Sequence, residues 1–222
     1  MIITIDGPAA AGKGTLSAYL SKKYKLAYFD TGMVYRAVGL QMVLTGQDLT
    51  NSKQAQIIAE QLTFPQMIEL SRHPDFRSDI GGHAASVVSS YPGVRQALLA
   101  MQKNFAKSPV FADGTPAKGV VYDGRDTGTV ICPGADLKLF ITASAEVRAK
   151  RRYDEYIAKG MIISYEKVLE DIIERDERDA KRSTAPMKPA EDAVIIDTSF
   201  LSIEEVIEEV TPLIEAKLPS PY

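Results

Sequence analysis

Residues Gly7 to Thr15 read G-P-A-A-A-G-K-G-T and directly follow the apolar run Ile2-Ile3-Thr4-Ile5-Asp6. A glycine-rich turn between a strand and a helix aims backbone N–H groups at a polyphosphate, and the start of the helix adds partial positive charge. Gly7, Pro8, Ala9, Ala10, Ala11, Gly12, Lys13, Gly14 and Thr15 are therefore expected to cradle a nucleoside triphosphate, with Lys13 reaching the β and γ phosphates. In the general pattern a hydroxyl residue follows the lysine at once and holds Mg2+. Here Gly14 takes that place and the hydroxyl comes one residue later, at Thr15. Direct metal ligation by Thr15 is thereby weakened. A ligand-free strand–helix turn is the alternative reading of the same stretch.

Three further clusters carry chemistry. Asp30-Thr31-Gly32-Met33-Val34-Tyr35-Arg36 leads a carboxylate, a hydroxyl and a glycine into a helix that offers an aromatic ring and an arginine near its start. Such a helix start suits an anionic ligand with Arg36 as phosphate clamp, but it equally describes a capped helix with a surface arginine. Val120-Val121-Tyr122-Asp123-Gly124-Arg125-Asp126 is a strand ending in a carboxylate, the layout that holds Mg2+ or its waters opposite a phosphate loop. An ordinary turn rich in Asp and Gly is the plainer alternative. Finally, Arg175, Arg178 and Arg182 fall at i, i+3 and i+7 and are predicted to share one helical face, while Arg148, Arg151 and Arg152 share another. Charge runs are usually solvated helices laced with ion pairs. In a chain of net charge −3, arginines gathered on one face point instead to an anion.

The elements that must position these groups follow from periodicity. Ile2 to Ile5, Val120 to Tyr122, Leu137 to Ile141 and Ala193 to Ile196 are continuous apolar runs, which predicts a parallel sheet covered on both faces. Helical patterns occupy Leu16 to Lys23, Gly93 to Phe105, Ala145 to Ala158, Tyr165 to Lys181 and Ile203 to Lys217. The last opens with a capping box, Ser202 and Glu205. Alternating strands and helices predict a doubly wound α/β fold whose loops after Asp6, Asp123 and Ile141 converge on one cleft. Met33 to Tyr91 is mostly helical and interrupts the rhythm, as does the charged stretch Arg148 to Arg182; inserts of this kind supply an acceptor site and a closing lid. The expected division is one domain over 1–222, with a core at about 1–32, 92–147 and 183–222, an insert at about 33–91 and a lid at about 148–182. Lys107 to Lys118 reads as a surface loop.

With 222 residues the chain is long enough for one substantial core. Its acidic balance argues against a dedicated nucleic-acid binder. One cysteine, Cys132, excludes an intrachain disulfide and suits a reducing cytosol; beside Pro133 it reads as a buried, inert thiol. His73 and His83 have no partner pattern and read as structural or surface residues. No metal-binding Cys/His spacing, signal peptide or membrane-length apolar run is present, so the expectation is a cytoplasmic protein without a membrane partner. A monomer is expected, for want of an apolar stripe.

Taken together, G-P-A-A-A-G-K-G-T, D-T-G-M-V-Y-R, Y-D-G-R-D-T-G-T-V and E-R-D-E-R-D-A-K-R-S-T-A-P resemble the bacterial cytidylate kinases, in the family's order from Ile2 to about Glu209. The G-K-G-T ending also resembles nucleoside monophosphate kinases more than GTPases. The resemblance implies a three-layer P-loop fold and Mg2+-dependent transfer of the ATP γ-phosphoryl group to CMP or dCMP. It implies that Gly7 to Thr15 and Arg148 bind ATP, and that Lys13, Arg125, Arg151 and Arg152 act on the transferred group. Arg36, Arg125 and Arg182 would clamp the CMP phosphate, with Thr31 and Tyr35 in the acceptor pocket. Ser86, Arg95 and Asp126 match positions that read cytosine, and Arg175 and Asp179 positions at the acceptor sugar. Asp123 would hold Mg2+ through water. The stretch from Thr31 to Ser86 is shorter than in larger bacterial members, and that from Arg95 to Asp123 longer. Other readings are a UMP, AMP or shikimate kinase of the same fold, or a regulatory nucleotide switch.

Overall fold

A computed structural model describes residues 1–218. In chain order the elements are β1 (Ile2–Asp6), α1 (Lys13–Tyr24), β2 (Ala27–Asp30), α2 (Gly32–Leu44), α3 (Ser52–Gln61), α4 (Phe64–Leu70), α5 (Asp79–Val88) and α6 (Pro92–Lys107). Then come β3 (Val120–Gly124), β4 (Leu137–Thr142), α7 (Ala145–Ala158), α8 (Tyr165–Lys181), β5 (Val194–Asp197) and α9 (Ile203–Glu215). A 3₁₀ turn lies at Pro74–Arg77 and a π-helical turn at Thr127–Ile131. The chain divides into two compact units. The first takes residues 1–29, 109–181 and 185–218, and the second residues 30–108 and 182–184.

The first unit is built on a five-stranded sheet of order β2-β3-β1-β4-β5. Strand β1 pairs in parallel with β3 and β4, and β4 with β5. The apolar runs predicted these strands because central parallel strands are buried on both faces. Ile3 and Ile5 pack with Val121, Leu139 and Ile141, and with Leu16 and Leu20 of α1 and Val206, Val210 and Ile214 of α9. The capping box at the start of α9 is formed: the Ser202 N–H donates to Glu205 and the Glu205 N–H to the Ser202 hydroxyl. Helices α7 and α8 have their own small core of Ala149, Val168 and Ile172, with Tyr153 and Tyr165 packed edge to face.

Three features depart from expectation. Ala27–Asp30 adds a strand that short length and mixed burial concealed. Strand β5 is an edge strand, so Val194 and Ile195 are exposed rather than covered. The predicted face of Arg175, Arg178 and Arg182 is cut short, because α8 ends at Lys181 and Arg182 falls in the second unit. Ser183 and Thr184 favour turns over helix, and Ala185 adopts a left-handed backbone with φ of 52°.

The second unit is helical. Helices α2 and α5 pack together, as do α3 and α6. Phe76 and Met67 are buried within it. Thr63 and Gln66 form a capping box that starts α4, and His73 accepts the Asp75 N–H to start the 3₁₀ turn, a structural role. The predicted surface loop Lys107 to Lys118 contains one bridge, Val110 to Pro116.

Candidate active site

The phosphate loop leaves β1 between its two neighbours. Gly7 has φ of 142°, and a Cβ there would lie 1.9 Å from the Ile141 carbonyl oxygen of β4, so only glycine fits. Ala10 and Gly12 also take positive φ, which curls the loop before α1 begins at Lys13. Lys13 is buried and donates to the Pro8 carbonyl at 2.7 Å. Burial lowers its pKa to about 7, and the nearby Arg125 and Arg175 push the same way; Asp123 and Asp6 oppose them. Gly14 and Thr15 are exposed on the first turn of α1.

Of the three α7 arginines, two reach the loop's surroundings. Arg148 is buried and donates to Ala143 O at 2.8 Å, to Ala9 O in the loop at 3.3 Å and to the Asp176 carboxylate at 2.5 Å. Arg151 grips Thr198 through its hydroxyl (3.0 Å) and carbonyl (2.7 Å), and the Thr198 hydroxyl lies 3.3 Å from the Ala11 carbonyl. Arg152 pairs along its own helix with Glu155 at 2.9 Å and stacks on Tyr156. Thr198 is a neighbour of the loop that the sequence reading missed. It follows β5 without a motif, so only tertiary structure reveals it.

The end of β3 faces the loop, as the convergence of strand ends predicts. A Cβ at Gly14 would lie 3.6 Å from Asp123 Oδ2, and Tyr28 donates to that same oxygen at 3.3 Å. Tyr28, on the missed strand β2, was also absent from the sequence-based site. Arg125 donates through Nε to Asp179 at 3.0 Å and through Nη1 to Gly124 O at 3.1 Å. Asp126 is buried at the head of the π-helical turn and makes no side-chain capping bond there. Asp6 is buried as well: it accepts the Thr127 N–H (2.8 Å), the Thr127 hydroxyl (2.9 Å) and the Gly128 N–H (2.7 Å). Burial raises its pKa while these donors pull it down.

Among the described residues no three or more His, Cys, Asp or Glu side chains gather as a metal cage. A magnesium ion does not need one, since it binds through one or two carboxylates, phosphates and retained waters. Asp123 beside Gly14 fits that mode; Asp6, with both oxygens accepting backbone N–H groups, does not.

In the second unit Thr31 and Tyr35 are buried at the start of α2. The helix start is held by Asp30, which accepts the Gly32 N–H at 2.8 Å, and not by Thr31. The Arg95 guanidinium lies 5.2 Å from the centre of the Tyr35 ring and donates to Ser89 O at 3.3 Å. Arg36 donates to Phe76 O at 2.9 Å and flanks Gly82. Ser86 is buried on α5.

A protein-family model described as cytidylate kinase matches residues 3–216. A cytidylate kinase of Rhodopseudomonas palustris is 47% identical over 216 residues, covering 97% of this chain and 96% of that protein. One from Paramagnetospirillum magneticum is 46% identical, covering 97% and 98%. Among solved structures, an uncharacterized protein from Eubacterium ventriosum aligns with TM-score 0.52 over 97% of this chain and 98% of that one. At 11% identity it shares the fold alone.

Proposed function

Because the chain belongs to the cytidylate kinase family, we propose that it transfers the γ-phosphoryl group of ATP to CMP, with dCMP as a further acceptor. The observation that carries this reading is the buried Lys13 set against Arg125 and Arg175. Burial and these two neighbouring cations disfavour the ammonium form of Lys13, Asp123 and Asp6 offset this in part, and a bound polyanion would offset the rest. In a chain of net charge −3 such a concentration marks a site built for phosphate groups.

The residues divide the work as follows. Gly7, Pro8, Ala9, Ala10, Ala11, Gly12, Gly14 and Thr15 wrap the donor phosphates, and Lys13 bears on the β and γ groups. The acceptor oxygen of a monophosphate is already anionic, so no general base is required. The barrier is repulsion between two polyanions, about 4 kcal/mol for unit charges ~4 Å apart at an effective dielectric near 20. Lys13, Arg125, Arg151 and Arg152 offset it and stabilise a loose transition state. Asp123 would hold Mg2+ through water, and the ion would supply further charge neutralisation. Thr15 is the second candidate for the ion, one residue past the usual hydroxyl position. Arg148, Arg151 and Arg152 form the lid side and exclude water.

On the acceptor side, Arg36, Arg125 and Arg182 are assigned to the CMP phosphate, Thr31 and Tyr35 to the pocket, and Arg175 and Asp179 to the sugar. Ser86, Arg95 and Asp126 read the base. A monomer that binds ATP and CMP or dCMP is part of the proposal, with no nucleic acid or membrane partner. No described helix is long and apolar enough to cross a membrane; a cytoplasmic site of action is part of the proposal.

A panel of CMP, dCMP, UMP, AMP and shikimate with ATP tests the reading. ADP should form rapidly with CMP and dCMP, and negligibly without acceptor. Equal turnover of UMP or AMP, or acceptor-independent hydrolysis, would count against it.

Lys13 adds a pH signature. Its pKa of about 7 leaves it mostly neutral at about pH 8.5 in the nucleotide-free protein, whereas a bound triphosphate favours the ammonium form. ATP binding at that pH should take up close to one proton, and affinity should fall by up to about tenfold per pH unit above 7. Calorimetry in two buffers of different ionisation enthalpy reads the uptake directly. A wild-type value near zero, or the same value in Lys13→Ala, refutes the assignment.

A further inference from the structure

The first amides of a helical turn are normally capped by the residue just ahead of it. At Thr127–Ile131 that residue is Asp126, whose type suits a cap, yet its side chain makes no capping bond. The first two amides, of Thr127 and Gly128, are instead bonded by Asp6, 121 and 122 residues earlier in the chain. The Thr127 hydroxyl donates to the same carboxylate. The strand register explains the reach: Asp6 on β1 lies opposite Gly124 on β3, so its side chain meets the backbone that follows Arg125 and Asp126. The packing admits little play. A Cβ at Gly128 would lie 2.9 Å from the Thr4 hydroxyl and 3.4 Å from Asp6 Oδ2.

We propose that Asp6 is a positioning residue for acceptor recognition: by capping the Thr127–Ile131 turn from the neighbouring strand, it fixes where Arg125 and Asp126 present their side chains. This rests on the assignment of those two residues to CMP. In this role Asp6 touches neither nucleotide. Its two oxygens accept three bonds, a number an asparagine cannot match, because the amide nitrogen would face an N–H donor. Being next to Gly7, Asp6 could instead serve only the phosphate loop, and the experiment separates these roles.

The test compares Asp6→Asn and Thr127→Val with wild type, measuring CMP kinetics at saturating ATP, the CMP-to-UMP ratio of kcat/KM, and ATP affinity by titration. Asp6→Asn should raise the KM for CMP about tenfold or more and lower the CMP-to-UMP ratio, with ATP affinity within about twofold of wild type. Thr127→Val keeps both amide bonds and should move the same quantities in the same direction by roughly threefold. Should Asp6→Asn fail to fold, Thr127→Val carries the test by itself. Equal losses for ATP and CMP would make Asp6 a phosphate-loop residue and overturn the inference, as would no change in either. Wild-type protein is assayed first: inactivity towards CMP would refute the kinase reading itself, whereas active wild type with the wrong variant pattern refutes only the role of Asp6.

Discussion

Lys13→Ala is expected to lower kcat for CMP phosphorylation by roughly a thousandfold while the protein remains folded. The lysine is the one cation in the phosphate loop, and its charge acts in a desolvated site where charge stabilisation is strongest. Its removal should not harm the fold. The folded-state pKa lies below the ordinary lysine value, so the cost of burying the charge is fully present below about pH 7 and is relieved as pH rises towards 10.5. Thermal unfolding of Lys13→Ala at about pH 6 should therefore occur at or near the wild-type temperature, the lost bond to Pro8 being offset by relief of that cost. A folded variant with full activity would refute the role of the loop.

Asp126→Ala should reduce kcat/KM for CMP by about 10²- to 10³-fold and leave ATP affinity nearly unchanged. Cytosine presents an amine where uracil presents a carbonyl. An ionised carboxylate only accepts hydrogen bonds, so Asp126 favours the amine and repels the carbonyl. The loss for UMP should be smaller, narrowing the CMP-to-UMP ratio. Kinetics with both acceptors and a nucleotide titration measure all three quantities. Equal losses in CMP turnover and ATP binding would remove Asp126 from base recognition.

These two residues differ in how much of their setting could be read in advance. Lys13 sits in a local pattern, and the glycines around it predicted the curled loop that the positive φ values display. Helices α7 and α8 begin and end where periodicity placed them, because each helix is set by side chains three and four apart. Strand β2 escaped because Ala27–Asp30 is short and alternates in burial beside a phosphate-loop helix. Arg182 shows the limit of extrapolating a period: its spacing suits the α8 face, but the helix stops one residue before it. The setting of Asp126 was hidden for a different reason. Nothing near it in sequence reveals that Asp6 would cap its turn.

The amino-acid sequence by itself determined β1, β3, β4 and β5, helices α1 and α6 to α9, the phosphate loop and the family, since all of these depend on patterns within a few residues or on ordered motifs. Tertiary structure alone decided the electrical state of Lys13, the pairing of Arg125 with Asp179, the place of Tyr28 beside Asp123 and the cap that Asp6 provides. Each of these is a through-space interaction between groups far apart in the chain. Its strength depends on burial and distance, and neither quantity exists until the strands have paired.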